Sequence, residues 1–249
     1  MRAASYERRT AQDLAALLGL PHVALFDEVD STTDVAHALA ADGAAAGTLV
    51  VADGQSAGRG RGGRRWVSET GGGVWLTLLE RPNDARALDV LSLRTGLRVA
   101  KALDRFAGAG VGLKWPNDLF LHGAKLGGIL VESRWRDNRP DWVAIGIGIN
   151  CAPPSGVVAG AALGRTTDRV DVLTEIVPAV RAAASAHGHL TDRDLADYAV
   201  RDVAAGLPCV APRAGRVAGI SADGALLVVT AAGVVRCREG SLLMEGDRQ

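Results

Sequence analysis

The spacing of apolar and polar residues predicts alternating helices and strands up to about residue 204. Leu14, Leu17 and Leu18 recur at helical spacing, and Pro21 is expected to end that helix. Uninterrupted apolar runs are instead typical of buried strands. The predicted helices cover residues 6–20, 33–41, 87–106, 171–187 and 192–204. The predicted strands cover residues 23–26, 48–52, 74–79, 125–131 and 142–150, and residues 151–168 are predicted to form a loop.

From Leu207 onward the pattern changes to short apolar runs separated by turn sequences. These runs cover residues 209–211, 215–221, 225–230, 234–238 and 241–244. A module of tight hairpins this small cannot build a robust core alone, so we expect it to pack on the preceding residues. The change of pattern predicts two domains, residues 1–204 and residues 205–249.

Composition restricts the classes of protein to which the chain can belong. A length of 249 residues with 48% apolar content suits one large domain, or one domain of average size with a small appendage. Because 28 basic residues balance 28 acidic ones, no overall field attracts the chain to nucleic acid or to an anionic membrane. Three widely spaced cysteines without a C-x-x-C pair indicate reduced thiols in the cytosol. No apolar run predicts a secretory signal or a membrane span.

Residues 55–66, called the arginine loop below, follow directly after a predicted buried strand. Four arginines and four glycines alternate there, and the loop ends in Trp66. Glycine lets a backbone approach a ligand closely, and guanidinium groups bind carboxylate or phosphate oxygens in a planar fork. We therefore expect the loop to bind an anion, with Trp66 as a surface for a base. A solvated arginine run or a disordered RNA-binding segment is the alternative, which the ordered apolar runs on either side disfavour.

Three further polar clusters accompany this loop. Ser31 or Thr32 can cap the predicted helix 33–41, whose N-terminus would face an anion, although capping alone also explains them. In Lys114-Trp-Pro-Asn-Asp118, proline ends a strand, so Asn117 and Asp118 are expected to project from a loop. Lys125 leads into a buried strand and is a candidate for a desolvated charge, with an exposed lysine in a polar turn as the alternative.

The strand 142–150 carries glycine at positions 146 and 148, which lie on one face of the sheet. A face without side chains leaves room for a flat ligand, although close helix packing also requires glycine there. Together, the clusters suit adenylation of a carboxylate by ATP. That reaction needs positive charge around the α-phosphate and Mg²⁺ on the leaving pyrophosphate.

Five segments, in this order, resemble the motifs of biotin protein ligases. They are Asp30-Ser-Thr-Thr33, residues 55–61 with Arg64 and Trp66, Lys114-Trp-Pro-Asn-Asp118, residues 125–130, and residues 146–150. The resemblance extends from about residue 22 to the end of the chain. It implies an α+β fold with a mixed β-sheet flanked by helices, of the class II synthetase-like type, as a catalytic domain over residues 1–204. It also implies a small SH3-like β-barrel over residues 205–249.

The resemblance also implies an activity. Biotin and ATP, with Mg²⁺ as cofactor, would give biotinyl-5′-AMP, which one lysine of a biotin carboxyl carrier domain then attacks. The repressor members of the family carry an N-terminal DNA-binding domain for which this chain has no room, so it resembles the ligase-only type, cytoplasmic and without DNA or membrane partners. A homodimer is left open.

Residue roles follow from the same resemblance. Arg61, Lys125 and Asp118 would be catalytic. The biotin-binding residues would be Ser31, Thr32, Thr33, Gln55, Arg59, Gly60, Arg61, Lys125, Gly127 and Gly148. The ATP-binding residues would be Arg61, Arg64, Trp66, Lys114, Asn117, Asp118, Lys125 and Asn150, with Mg²⁺ held through the ATP phosphates and no certain protein ligand.

The chain departs from the family pattern at two positions. Many relatives have asparagine at the position of Thr33 and alanine at the position of Gly127, and the missing methyl at 127 could loosen the biotin pocket. Two rival functions remain from this comparison: a lipoate or octanoyl ligase on the related scaffold, and a non-catalytic sensor of biotin. A nucleic-acid-binding protein is a third, which the zero net charge disfavours.

Overall fold

A seven-stranded sheet lies at the centre of the computed structural model, which describes residues 2–82, 84–156 and 160–245. Its strands are β1 (His22–Val29), β2 (Thr48–Gln55), β3 (Gly73–Glu80), β4 (Gly112–Lys114), β5 (Asp118–Leu121), β6 (Ala124–Arg136) and β7 (Arg139–Asn150). They are ordered β1-β2-β3-β7-β6-β5-β4. Only the β1–β2 pair is parallel, so the sheet is mixed, as predicted.

Helices cover both faces of this sheet. They are α1 (Ala11–Leu18), α2 (Thr32–Ala41), α3 (Ala85–Asp89), α4 (Leu91–Ala107), α5 (Arg169–Ala184) and α6 (Asp192–Arg201). The first helix starts five residues later than predicted because Thr10 caps it, forming a capping box with Asp13. The predicted helix 87–106 is two helices, because Val90 leaves helical geometry at φ −114° and ψ 4°. None of the described helices is both long and apolar enough to cross a membrane.

The two faces of the sheet are buried to different extents. Side chains of β3 such as Val74, Leu76 and Leu78 point into the large core beneath α1, α4 and α5. Side chains of the opposite parity point to the α2 face, where a small apolar cluster, Ala36 with Val50 and Ala144, is buried. Since α2 lies mainly over β2, β3 and β7, much of this face over the ends of β6 and β7 is available for a site.

A second sheet, called the C-terminal sheet, follows α6. Its strands β8 (Pro208–Ala211), β9 (Gly215–Ile220), β10 (Leu226–Thr230), β11 (Gly233–Cys237) and β12 (Leu243–Met244) are antiparallel in the order β11-β10-β9-β8-β12. Among the described residues this ladder is open, so the antiparallel sheet is confirmed and its closure into a barrel stays a prediction. Residues 157–159 of the predicted loop and residues 246–249 of the predicted second domain lie outside the described residues.

The C-terminal sheet packs directly on the main body of the protein. Its buried residues Val217, Leu226 and Val228 belong to the same apolar core as the main sheet. Trp115 Nε1 donates a hydrogen bond to the Gly224 carbonyl oxygen at 3.0 Å. Gly224 has φ +82°, and an added Cβ there would lie 3.1 Å from Leu93 Cδ1. The turn before β10 therefore needs glycine both for its backbone conformation and for its close approach to α4.

Gly224→Ala should destabilise the protein more than Gly43→Ala. Both glycines have positive φ, +82° and +89°, but nothing lies within 4 Å of a Cβ placed at Gly43. The backbone cost is about 1–2 kcal/mol for each alanine, while close packing at Gly224 adds about 1–3 kcal/mol. Denaturant unfolding of the two variants measures the difference. Equal losses of unfolding free energy would contradict tight packing of this turn on α4.

Candidate active site

A cavity of about 320 Å³ opens on the α2 face of the main sheet, between the arginine loop, the β4–β5 turn and the C-terminal sheet. Fourteen of the sixteen site residues predicted from the sequence line it, so they converge from five separate segments of the chain. These are Thr32, Thr33, Gln55, Arg59, Gly60, Arg61, Arg64, Trp66, Lys114, Asn117, Asp118, Lys125, Gly148 and Asn150.

The other two predicted residues, Ser31 and Gly127, do not line this cavity. Ser31 Oγ accepts a hydrogen bond from Thr33 N at 3.2 Å and caps α2, which is the alternative role considered from the sequence. A Cβ added at Gly127 would lie 2.7 Å from Ile149 Cδ1, on the core side of the sheet. The expectation that the missing methyl loosens the pocket is therefore wrong, since a methyl group there would point away from the cavity.

The arginine loop folds back on itself as a hairpin. Gly60 N donates to the Arg64 carbonyl oxygen at 2.7 Å, and Trp66 N donates to the Gly58 carbonyl oxygen at 2.8 Å. Arg59 Nη2 lies 2.9 Å from both Glu132 Oε2 and Asp34 Oδ1. Its side chain thus holds the loop against β6 and α2.

The C-terminal sheet holds the tip of the same loop. Arg61 Nη1 donates to the Gly240 carbonyl oxygen at 2.5 Å, and Arg64 Nη2 donates to Ser241 Oγ at 2.8 Å. Both acceptors are neutral, and among the described residues no carboxylate forms a salt bridge with either arginine. The two guanidinium charges are therefore positioned but not neutralised, which suits the binding of an anion.

Trp66 fills the side-chain-free surface of the sheet. A Cβ added at Gly148 would lie 2.7 Å from Trp66 Cε2, and one at Gly128 would lie 3.5 Å from Trp66 Cζ3. At Gly146 an added Cβ would lie 3.0 Å from Thr33 Oγ1 of α2. Gly146 and Gly148 both line the cavity, as expected, but the face beside them is partly covered. The protein's own indole occupies it at Gly148, and helix packing, the alternative considered from the sequence, explains Gly146.

Lys125 is a paired charge at the opening of β6. Its Nζ lies 2.6 Å from Asp118 Oδ1 and 5.2 Å from the centre of the Trp66 ring. Because 36% of its side chain is exposed, the expectation of a desolvated charge is wrong. Asp118 is the first residue of β5 and not part of a loop, whereas Asn117 does lie in the turn and donates to the Ile129 carbonyl oxygen at 2.8 Å.

The inner end of the cavity is a cluster of hydroxyl groups. Gln55 Oε1 accepts from Thr32 N at 2.9 Å and from Thr32 Oγ1 at 3.2 Å. Thr77 Oγ1 lies 2.9 Å from Thr32 Oγ1 and 3.2 Å from Thr33 Oγ1. Thr77 was not singled out from the sequence, although it is the one polar residue in the apolar run 74–79.

Comparison with known sequences identifies the relationship behind this arrangement. The sequence model of the Biotin/lipoate A/B protein ligase family matches residues 25–150, from within β1 to the last residue of β7. The chain belongs to this family. The matched region contains the whole arginine loop, the β4–β5 turn and both glycine-bearing strands, so the predicted resemblance is confirmed.

Curated members of the family share this region. The bifunctional ligase/repressor BirA of Bacillus subtilis is 43% identical over 130 residues, which are 52% of this chain and 40% of that protein. The biotin–[acetyl-CoA-carboxylase] ligase of Paracoccus denitrificans is 40% identical over 133 residues, which are 52% of this chain and 55% of that protein. The match therefore spans about half the length of these relatives.

Solved structures of family members extend the similarity to the C-terminal sheet. The biotin protein ligase from Aquifex aeolicus in complex with biotin and ATP has a TM-score of 0.73 at 26% identity, over 91% of this chain and 99% of that one. The Leishmania major enzyme in complex with biotinyl-5-AMP has a TM-score of 0.63 at 26% identity, over 87% and 98%. The predicted mixed sheet flanked by helices is thereby confirmed.

The cysteine thiols and the side chains that bind metals bear on the chemistry of the cavity. Burial raises the pKa of Cys151, which follows Asn150, to about 11, so its thiol stays protonated at neutral pH. None of the three cysteines lines the cavity. In the described part of the chain no cluster of three or more histidine, cysteine or carboxylate side chains could hold a metal ion. The cavity therefore offers neither a thiolate nucleophile nor a metal cage of its own.

Two residues outside the family motifs, Glu132 and Ser241, hold arginine side chains of the loop in position. Glu132 Oε2 accepts from Arg59 and lies 2.9 Å from His37 Nε2, so it joins the arginine loop to α2. Its signal in the sequence is its place as the first charged residue after the apolar run of β6. Ser241 gave no signal, because its contact with Arg64 joins residues 177 positions apart.

Gly148→Ala should displace Trp66 from the sheet, whereas Gly128→Ala should not. The added methyl would overlap the indole at Gly148 but make ordinary contact at Gly128, which lies directly opposite on β6. ¹⁹F NMR of the fluorotryptophan-labelled protein, with the Trp66 signal assigned by Trp66→Phe, measures the displacement. An unshifted Trp66 signal in Gly148→Ala would show that the indole does not rest on this glycine.

Proposed function

We propose that the chain is an ATP-dependent biotin protein ligase. In this proposal it activates biotin as biotinyl-5′-AMP and transfers the biotinyl group to the ε-amino group of one lysine on a biotin carboxyl carrier domain. Biotin and ATP are the small molecules named in the complex of the Aquifex aeolicus relative.

The observation that carries the proposal is the convergence of Arg61, Arg64 and Lys125 on one cavity. Two of these charges have only neutral partners, Gly240 O and Ser241 Oγ, among the described residues. A carboxylate and a triphosphate repel each other in water, and a cavity with excess positive charge lowers that repulsion. The same charges stabilise the negative charge that develops on the phosphoryl oxygens in the transition state.

The first step joins the two substrates. A biotin carboxylate oxygen attacks the α-phosphorus, a new O–P bond forms, and the bond to the β-phosphate bridging oxygen breaks to release pyrophosphate. Arg61 and Lys125 are assigned to the carboxylate and α-phosphate oxygens, and Arg64 to the phosphate side. Holding both substrates in reacting geometry supplies much of the acceleration.

The second step transfers the acyl group. The lysine amine of the acceptor attacks the acyl carbon of biotinyl-5′-AMP, the C–N bond forms, and the C–O bond to AMP breaks as the amine loses a proton. No residue of the enzyme becomes acylated, in keeping with the buried, protonated Cys151. Asp118 is assigned to the side of the incoming lysine, where its pairing with Lys125 already stabilises an ammonium group.

Magnesium fits the cavity as a companion of ATP. Asp118 is the only carboxylate among the described lining residues, and Mg²⁺ is commonly held by one or two carboxylates together with substrate phosphates. When bound, the ion would supply charge on the leaving pyrophosphate, and Asp118 is the side chain that could reach it.

The remaining expectations are part of the same proposal. Residues 1–204 and 205–249 are assigned as catalytic and C-terminal domains, and a homodimer is left open. A cytoplasmic location is supported by three free cysteines. The other residue roles given by the resemblance are carried over unchanged for residues that line the cavity.

The purified protein should biotinylate an acceptor domain when supplied with biotin and Mg-ATP. Mass spectrometry of the acceptor measures the product, and lipoate and octanoate in place of biotin are the matched control acids. Transfer of lipoate or octanoate in preference to biotin would assign the chain to the lipoate branch of the family. Biotin binding without release of pyrophosphate would instead indicate a non-catalytic sensor.

Lys125→Ala should lower the rate of adenylation by about 10²–10³, because it removes one charge placed for the transition state. Biotin-dependent exchange of pyrophosphate into ATP measures this step. Lys101→Ala is the matched control, since Lys101 pairs with Asp197 on α6, away from the cavity. Exchange at the wild-type rate in Lys125→Ala, with a folded protein by circular dichroism, would reject the role.

A further inference from the structure

The hydroxyl groups at the inner end of the cavity form one continuous chain of hydrogen bonds. It runs from Gln55 Oε1 to Thr32 Oγ1 at 3.2 Å, then to Thr77 Oγ1 at 2.9 Å and to Thr33 Oγ1 at 3.2 Å. The three threonines are buried, with 3%, 4% and 0% of Thr32, Thr33 and Thr77 exposed. Because these hydroxyl groups are buried, each hydroxyl hydrogen needs an acceptor either in this chain of hydrogen bonds or in the cavity.

The direction of these hydrogen bonds follows from the groups themselves. Thr32 N can only donate, so the Gln55 atom 2.9 Å from it is the amide oxygen. That oxygen has no hydrogen, so Thr32 Oγ1 donates to it as well. A hydroxyl group carries one hydrogen. Thr77 must then donate to Thr32, and Thr33 must donate to Thr77.

This direction gives the end of the cavity a defined polarity. Thr33 has used its only hydrogen on Thr77, so its Oγ1 can act towards the cavity only as an acceptor. Gln55 Nε2 uses one of its two N–H groups on Ser68 Oγ at 2.7 Å and keeps a second as a donor. A cyclic urea carries both an N–H donor and a carbonyl acceptor and matches this pair, whereas a dithiolane ring carries neither.

We infer that Thr77 is a positioning residue that selects the ring of the acid substrate. Its hydroxyl holds Thr33 as an acceptor, and Thr33 in turn favours an acid whose ring presents an N–H group. This inference rests on the proposed function, because it takes the acid in this cavity to be biotin or a close analogue. Thr77 itself lies outside the family motifs.

Thr77→Val removes the hydroxyl at nearly constant volume. The Thr33 hydroxyl then loses its acceptor, Thr77 Oγ1, and can turn its hydrogen towards the cavity. There that hydrogen would face the N–H of a ligand, and two donors cannot form a hydrogen bond with each other. Thr77→Ser keeps the hydroxyl and should preserve the chain. The two variants therefore separate loss of the hydrogen bond from loss of packing.

Calorimetry on the full chain tests the inference with biotin and with the two cyclic carbamate analogues in which one ring N–H is replaced by oxygen. The wild-type protein should bind one of the two analogues at least about tenfold more weakly than biotin. This is the analogue that has oxygen in place of the N–H facing Thr33, so that Thr33 Oγ1 is left without a donor. In Thr77→Val, biotin should bind about tenfold more weakly and this preference should fall to within about threefold. Thr77→Ser should retain both the affinity and the preference.

A second variant excludes a purely structural explanation. If Thr77 acts through Thr33, then Thr33→Val should lose the same preference, and the double variant should bind biotin about as well as Thr33→Val alone. The role of Thr77 would be overturned if the two single variants' losses of biotin affinity added up in the double variant. It would also be overturned if Thr77→Val kept the wild-type preference for biotin over the analogue. In both cases the proposed function would stand. Failure of the wild-type protein to bind biotin would overturn the proposed function and this inference together.

Discussion

The site depends on holding positive charges close together without neutralising all of them. Lys125 has a carboxylate partner, but Arg61 and Arg64 are held by a carbonyl and a hydroxyl oxygen, so the cavity keeps a net positive charge. Like charges that line one cavity repel one another. The loop that carries them must therefore be fixed from outside. Arg59 supplies that attachment by pairing with Glu132 and Asp34 on the neighbouring strand and helix.

The same loop also closes the floor of the cavity. Trp66 at its end rests on Gly128 and Gly148, which face each other across β6 and β7 and leave no side chain beneath the indole. The indole in turn forms one wall beside Lys125. Because its buried Nε1 has no hydrogen-bond partner among the described residues, the contact is one of shape and not of polarity.

Much of the site could be predicted from the sequence, because its residues occur in short dense clusters and those clusters match a family. The strands could be predicted for a different reason. Buried strands in such a sheet are uninterrupted apolar runs, which are visible in the sequence. The division of the predicted helix at Val90 and the pairing of Lys125 with Asp118 could not be predicted, because they depend on tertiary contacts. The direction in which Gly127 faces depends on a bulge between β5 and β6, which no local pattern marks. Thr77 was missed because its partners lie 44 and 45 positions away.

The C-terminal sheet supports two opposite walls of the cavity. Its turn at Gly224 accepts a hydrogen bond from Trp115, next to Pro116, Asn117 and Asp118 of the cavity wall. Its segment at Gly240 and Ser241 holds the opposite wall through the two arginines. Since both contacts are made by one small sheet whose core is continuous with the main core, a shift of that sheet moves both walls together. The width of the cavity is therefore a property of the junction between the two sheets, and each sheet alone would leave one wall without support.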